Sequence, residues 1–260
     1  MDKEVLTRTF TTPLTTAANK LYNVTEFKVE DLTKGMDANL RTYLLNNYDA
    51  NNDGLLSQAE ADNETAIRSA AFPGHVSSLM YIWRFANLEE LVINSNCTEL
   101  YGLSLSSNTK LTRVVLSPTG GVWSRLEVNN LPALTSFELS FSNDQANLSK
   151  IDLSNCPALK KVVIKGAKSL ETLDLTGSAS TVEMFWLVSC PKMTTVDIHE
   201  MPITTFASAD YSDSGMNMMP DGTTIIAMTA QKDALAARYS DYEIYVTWLL
   251  VHEERVEAAA

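Results

Sequence analysis

One six-residue pattern, apolar-x-x-apolar-x-apolar, recurs along the middle of the chain. It constrains the fold more than any other feature, because self-similarity at a fixed period means stacked units, none of which can bury its apolar edge alone. The pattern begins at Leu88, Leu100, Leu111, Trp123, Leu134, Leu148, Leu159, Leu170, Val182 and Met193, with a fading copy at Ile203 and Phe206. Successive starts lie 10 to 14 residues apart, so two units form one coil of about 22 to 23 residues. The first apolar residue packs inward at a corner, while the fourth and sixth point inward from a short strand and the fifth points out. Asn or Cys follows three positions after the last apolar residue at Asn96, Asn108, Cys156 and Cys190, where a buried side chain can meet free backbone groups. Pro132, Pro157, Pro191 and Pro202 stand where a strand must stop.

That period is the length of a leucine-rich-repeat coil, and both halves of each coil read as strand. The expected fold is therefore a leucine-rich-repeat solenoid, β-rich, with strands on both faces of about five coils. Taking every second unit separates the faces. One carries an acidic column of Glu127, Asp152, Asp174 and Asp197, which follows Ser104. The other is centred on Val92, Val115, Glu138, Val163 and Trp186, with Met184 and Val188 beside Trp186 on the outward side. Outward positions of a solvated strand are normally polar. Val92, Val115, Val163, Met184, Trp186 and Val188 are accordingly a candidate interaction face. The competing reading is that the segment before residue 36, or an oligomer contact, covers them.

The two open ends of such a stack need covers. Residues 1–35 have no assigned role, 36–75 read as a helical cap, 76–206 as the repeats, 207–251 as a C-terminal cap and 252–260 as a polar tail. In the C-terminal cap, Pro220-Asp221-Gly222 signals a turn before a strand at 223–228. Thr229 can cap a helix to about Tyr239, and Tyr242, Ile244, Val246 and Trp248 alternate on a last strand. Residues 207–219 read as a polar loop.

The N-terminal cap carries the chemistry. Residues 49–60, Asp-Ala-Asn-Asn-Asp-Gly-Leu-Leu-Ser-Gln-Ala-Glu, fill every diagnostic position of an EF-hand calcium loop. Calcium is a hard cation that takes six to eight oxygens. The loop offers Asp49, Asn51 and Asp53 at positions 1, 3 and 5, the Leu55 carbonyl at 7, Ser57 at 9 and bidentate Glu60 at 12, with Gly54 at the sharp turn. Leu40, Leu44, Leu45 and Tyr48 have helical spacing before the loop, and Ser57 with Glu60 forms a capping-box signature after it. The cofactor expected is Ca2+. A lone loop of this kind suits millimolar extracellular calcium better than cytosolic levels.

The run from Met36 to Tyr48, the calcium loop, the run from Val76 to Leu91 and the coil Ile151-Asp152-Leu153-Ser154-Asn155-Cys156-Pro157-Ala158-Leu159 together resemble surface leucine-rich-repeat proteins of gut Bacteroidetes and Firmicutes. The resemblance covers about residues 36–206. It implies a secreted or surface-anchored bacterial protein in which the helical block caps the solenoid.

Composition narrows the function classes. The 260 residues are 45% hydrophobic with a mean hydropathy of -0.07, which suits a buried core and excludes a wholly disordered chain. No apolar run approaches the roughly 18 residues of a membrane span. The chain opens Met1-Asp2-Lys3-Glu4 without an apolar signal segment, so it is either cytoplasmic or has lost its signal. A formal charge of -12 repels nucleic acid and anionic membrane. Cys97, Cys156 and Cys190 are an odd number without metal spacing, and Cys156 and Cys190 are expected to be ladder residues rather than reactive thiols. His75, His199 and His252 lie far apart, none in a nucleophile arrangement, and no glycine-rich phosphate loop exists. The expected function is non-enzymatic binding of a protein or glycan by a solenoid face, with homo-oligomer formation possible. The alternatives are a structural spacer with no ligand and, behind it, a glycan-acting hydrolase using the acidic column.

Overall fold

The structure, a computed structural model, describes residues 30–69, 72–94, 102–118, 123–142, 147–203, 205–206, 215–217, 223–228, 231 and 234–235. Two helices open it, α1 (Ala38–Tyr48) and α2 (Gln58–Asn63), with the acidic loop between them. Thirteen strands follow: β1 (Ala66–Ser69), β2 (Glu90–Ile93), β3 (Leu103–Ser104), β4 (Arg113–Leu116), β5 (Leu126–Glu127), β6 (Ser136–Ser140), β7 (Lys150–Asp152), β8 (Lys161–Lys165), β9 (Thr172–Asp174), β10 (Met184–Val188), β11 (Thr195–Asp197), β12 (Gly215–Asn217) and β13 (Thr224–Ile226). Short 3-10 turns occupy Ile82–Arg84 and Ala179–Thr181.

The chain winds as a parallel β-solenoid. Strands β1-β2-β4-β6-β8-β10-β12 form one sheet and β3-β5-β7-β9 another. In the first sheet Glu90 pairs with Arg113, Arg113 with Ser136, Ser136 with Lys161 and Lys161 with Met184, so each rung follows the last by 23 to 25 residues. This is the coil length that the repeat sets. The second sheet keeps the same step from Leu103 to Leu126 to Ile151.

In the described residues, the apolar residues at the first, fourth and sixth positions of the units meet in one continuous core. Leu111, Val114 and Leu116 are fully buried there, as are Leu134, Phe137, Leu139, Leu159, Val162 and Ile164. Trp123 takes a corner position and meets the Phe141 ring edge-on, with centroids 5.9 Å apart. Cys156 and Cys190 are buried within the core, and Cys156 Sγ donates to the Val128 carbonyl at 3.3 Å. Burial pushes both thiols up, Cys190 to about 11. Gly166 turns the chain at φ 69, and a Cβ there would meet the Phe141 carbonyl oxygen at 2.5 Å.

The ladder runs beyond the span that the repeat pattern marks. Strand β1 lies in the helical block and pairs in parallel with β2, Ile67 against Leu91, so the first rung precedes Leu88 by a full coil. At the other end β12 falls inside the stretch expected to be a polar loop and pairs with Trp186–Val188 of β10. Strand β13, expected as part of a separate cap, pairs in parallel with β11 and so continues the winding. β1 and β12 are strand because the neighbouring coil presents an unpaired edge, a cause that lies outside their own sequence, and the same pairing sets the place of the expected strand β13. The expected cap helix to Tyr239 is described only at residues 231, 234 and 235, and the last strand at 242–248 and the tail lie outside the described residues.

Candidate functional site

The acidic loop is built by its own side chains. Asp37 caps α1 by accepting from the Asn39 and Leu40 amides, which delivers the helix to Asp49. Asp49 Oδ1 accepts from Asp53 N at 3.2 Å and Oδ2 from Gly54 N at 2.9 Å. Asn51 Oδ1 accepts from Asp53 N at 2.9 Å, and Asp53 Oδ1 from Leu55 N at 2.8 Å. Gly54, at φ 80, makes the sharp turn that other residues adopt only with strain. Leu56 is fully buried, while Ser57 and Glu60 form the capping box of α2.

Glu60 is only 6% exposed, and its Oε1 reaches back to the Ala50 amide at 3.0 Å while Oε2 holds the Ser57 amide and hydroxyl at 2.8 Å. Among the described residues no cationic side chain forms an ion pair with it. A buried carboxylate without counter-charge is costly, and the oxygen-only donors around it suit a hard divalent cation. Asp49, Asn51, Asp53 and Glu60 therefore fit calcium in donor chemistry and loop shape. The carboxylates are held on amides rather than drawn together, and among the described residues no three His, Cys, Asp or Glu side chains converge into a metal-sized group.

On the smaller sheet, Glu127, Asp152 and Asp174 stand in register on β5, β7 and β9. Each Asp also turns the chain that follows it. Asp152 accepts from Ser154 N at 3.1 Å, Asp174 from Thr176 N at 3.1 Å and Asp197 from His199 N at 3.1 Å. Burial pushes the Asp152 carboxyl up, but the Ser154 hydroxyl and amide and the Asn129 amide group outweigh it, so it titrates below the usual range. Hydrogen bonds from Thr176 likewise hold Asp174 down. Lys150 Nζ lies 3.5 Å from Asp174, and Arg125 pairs with Glu127.

Asp197 leaves the ladder. Its strand β11 pairs with β13 instead of β9, so the smaller sheet divides after Asp174. The 3-10 turn at Ala179–Thr181 lies between the two strands in sequence, and a groove of about 480 Å³ opens where they part. Lys150, Thr172, Leu173, Asp174, Thr176, Asp197, His199 and Glu200 line it. His199 Nδ1 lies 2.5 Å from Asp197 Oδ1, and this hydrogen bond raises the imidazole above its ordinary value. The groove thus offers carboxylates, an imidazole, an ammonium and two threonine hydroxyls around an apolar Leu173. It suits recognition of hydroxyl-rich or cationic groups, and among the described residues that line it there is neither a Ser nor a Cys. The Asp197–His199 pair was not legible as a unit, because His199 lies past the end of β11 and meets Asp197 only through the turn that follows the strand.

The opposite face is more buried than outward alternation alone implies. Val92, Val163 and Trp186 do point away from the solenoid core and join no core cluster, yet they are 9%, 7% and 1% exposed. Val115, Met184 and Val188 are partly buried. Three of the six residues are thus nearly closed to solvent and three are partly so. The reading that residues 1–35 cover it falls mostly on residues 1–29, outside the described residues. Among the described residues the exposed large apolar side chains are Met80 and Trp83, beside the first coil where Arg84 stacks over the Tyr81 ring at 4.4 Å, and Met228 near the other end.

No protein-family model matches the chain, and no curated protein matches it. Among solved structures it is similar to an internalin from Listeria monocytogenes, with 16% sequence identity over 85% of this chain and 78% of that one and a TM-score of 0.37. At that score the likeness carries no argument, and the solenoid stands on its own strand pairing.

Proposed function

We propose that this chain is a non-enzymatic binding protein of the cell surface or extracellular space. It takes a protein or glycan ligand on the β3-β5-β7-β9 side, with calcium on residues 49–60 holding the N-terminal cap. The observation that carries the ligand reading is the division of the smaller sheet, which opens a lined groove on the solvated side of an otherwise regular solenoid. Pockets of about 300–1,000 Å³ with a few convergent polar groups are the usual form of a binding site. Surface location is supported by the resemblance of residues 36–206 to bacterial surface repeat proteins and by a loop suited to millimolar calcium. When bound, calcium supplies counter-charge to Asp49, Asp53 and Glu60. The chain's own part is to present their oxygens from a turn fixed by Gly54 and from the first turn of α2.

One observation favours the spacer alternative. Each Asp of the column accepts hydrogen bonds from the turn after it, so these acids have a structural task without any ligand. A glycan array and a surface-protein crosslinking capture, both in calcium, compare the parent with Asp197→Asn/His199→Ala. Capture by the parent that the double variant loses at unchanged melting temperature supports the groove. No capture by either chain favours the spacer, and equal capture by both moves the ligand elsewhere on the molecule.

A further inference from the structure

The acidic loop is gripped from outside by the short segment that precedes α1. Leu32 N–H donates to the Leu56 carbonyl at 2.8 Å, and Leu56 N–H donates to Asp31 Oδ1 at 3.3 Å. Both backbone groups of the eighth loop residue are thus taken by residues 31 and 32. Arg41 Nη2 donates to the Gly54 carbonyl at 2.9 Å and lies 3.3 Å from Asp31 Oδ2, so the sixth loop residue is tied to the same carboxylate. Gly54 and Leu56 flank Leu55, whose carbonyl is the seventh-position ligand.

The segment is held in turn by the start of the solenoid. Arg84 donates through Nη1 to the Leu32 carbonyl, and the Arg84 carbonyl accepts from Gln58 Nε2 at 3.3 Å. The 3-10 turn bearing Arg84 is fixed to the next coil by buried Asn108, whose Nδ2 donates to the Ile82 and Phe85 carbonyls at 3.2 and 3.0 Å. A continuous hydrogen-bonded path therefore runs from loop residues 54 and 56 through Asp31 and Leu32 to Arg84 and into the repeats.

We propose that Asp31 is a positioning residue for the calcium loop, and that the 31–32 segment both sets its affinity and couples it to the first coil. This rests on the calcium reading of residues 49–60. The affinity of such loops follows ligand charge and site rigidity, and Asp31 acts on the second as an anchor of the loop's centre. Coupling is reciprocal, so whatever fixes the segment on the solenoid also favours the metal.

The test is a chelator-competition titration of the full chain with calcium alone, comparing parent, Asp31→Ala and Asp31→Asn, together with melting temperatures in chelator. Outer partners of metal ligands typically set affinity by about 10- to 100-fold, so Asp31→Ala is expected to raise the calcium Kd by that factor. Asp31→Asn, which keeps one acceptor oxygen and loses the ion pair with Arg41, is expected to raise it by less and serves as the test if Asp31→Ala does not fold. The melting temperature in chelator should fall less than that in calcium, which separates metal positioning from a merely structural role. A parent that binds calcium alongside variants of unchanged Kd overturns the proposal while the calcium reading stands. A parent that binds none overturns both.

Discussion

Glu60 joins two local devices in one carboxylate, the capping box of α2 and the twelfth position of the acidic loop. Glu60→Ala should therefore abolish calcium heat in a calorimetric titration. In chelator it should still cost about 1 kcal/mol through loss of the cap, read by urea denaturation. Heat undiminished in the variant would place the metal elsewhere. His199 shows the opposite kind of residue, one whose chemistry depends on a neighbour. Asp197 raises the imidazole, so its protonated form is favoured in the folded state. Any stability from the pair is complete below the unfolded value of about 6.5 and is lost as pH rises through the higher folded value. The side chains are half exposed, so the gain is small, and the direct measurement is an NMR titration. His199 should titrate above 6.5 in the parent and fall back toward that value in Asp197→Asn.

Strands behave as rungs rather than as independent elements. β10 carries Phe185 and Leu187 into the core and Trp186 to the opposite face, and all three are buried. Removing a fully buried aromatic side chain costs about 3–5 kcal/mol, so Trp186→Ala should lower stability by about that amount in urea. A change under about 0.5 kcal/mol is what a surface residue gives. That result would mean this side of β10 is open in solution, and it would restore Val92, Val163 and Trp186 as an interaction surface.

At the scale of the molecule, stacked coils transmit what happens at either end, because each contacts only its neighbours. Calcium bound only to the folded chain adds about 2.7 kcal/mol at one hundred times its Kd, so the melting temperature should rise with calcium and return in chelator. An unchanged melting temperature would remove the metal from the function. Acid should act more broadly. Asp31, Asp37, Glu90, Asp152 and Asp174 all titrate below their ordinary values, for Glu90 chiefly through Arg68 and for the others through hydrogen bonds that outweigh or accompany desolvation. Their stabilisation is present above the unfolded carboxylate values of about 4 and is lost as pH falls through the depressed folded ones. Circular dichroism should show loss of structure setting in below about pH 4. Structure intact far below that would show that these acids contribute little.

The sequence by itself determined what depends on neighbours along the chain. Twelve contiguous residues define the acidic loop, a capping signature starts α2, and a fixed period sets the coil, so all three were legible before any long-range contact was known. Tertiary structure alone decided the rest. β1 and β12 are strands because an adjacent coil offers its edge, and no local pattern in three or four residues encodes that. β13 was legible as a strand, and only its pairing with β11 was not. The groove exists because β11 pairs with β13 rather than with β9, a choice between partners that the repeat, identical in period on both sides, does not make. Trp186 is outward by alternation yet buried, since alternation fixes the direction in which a side chain points while burial depends on what packs there.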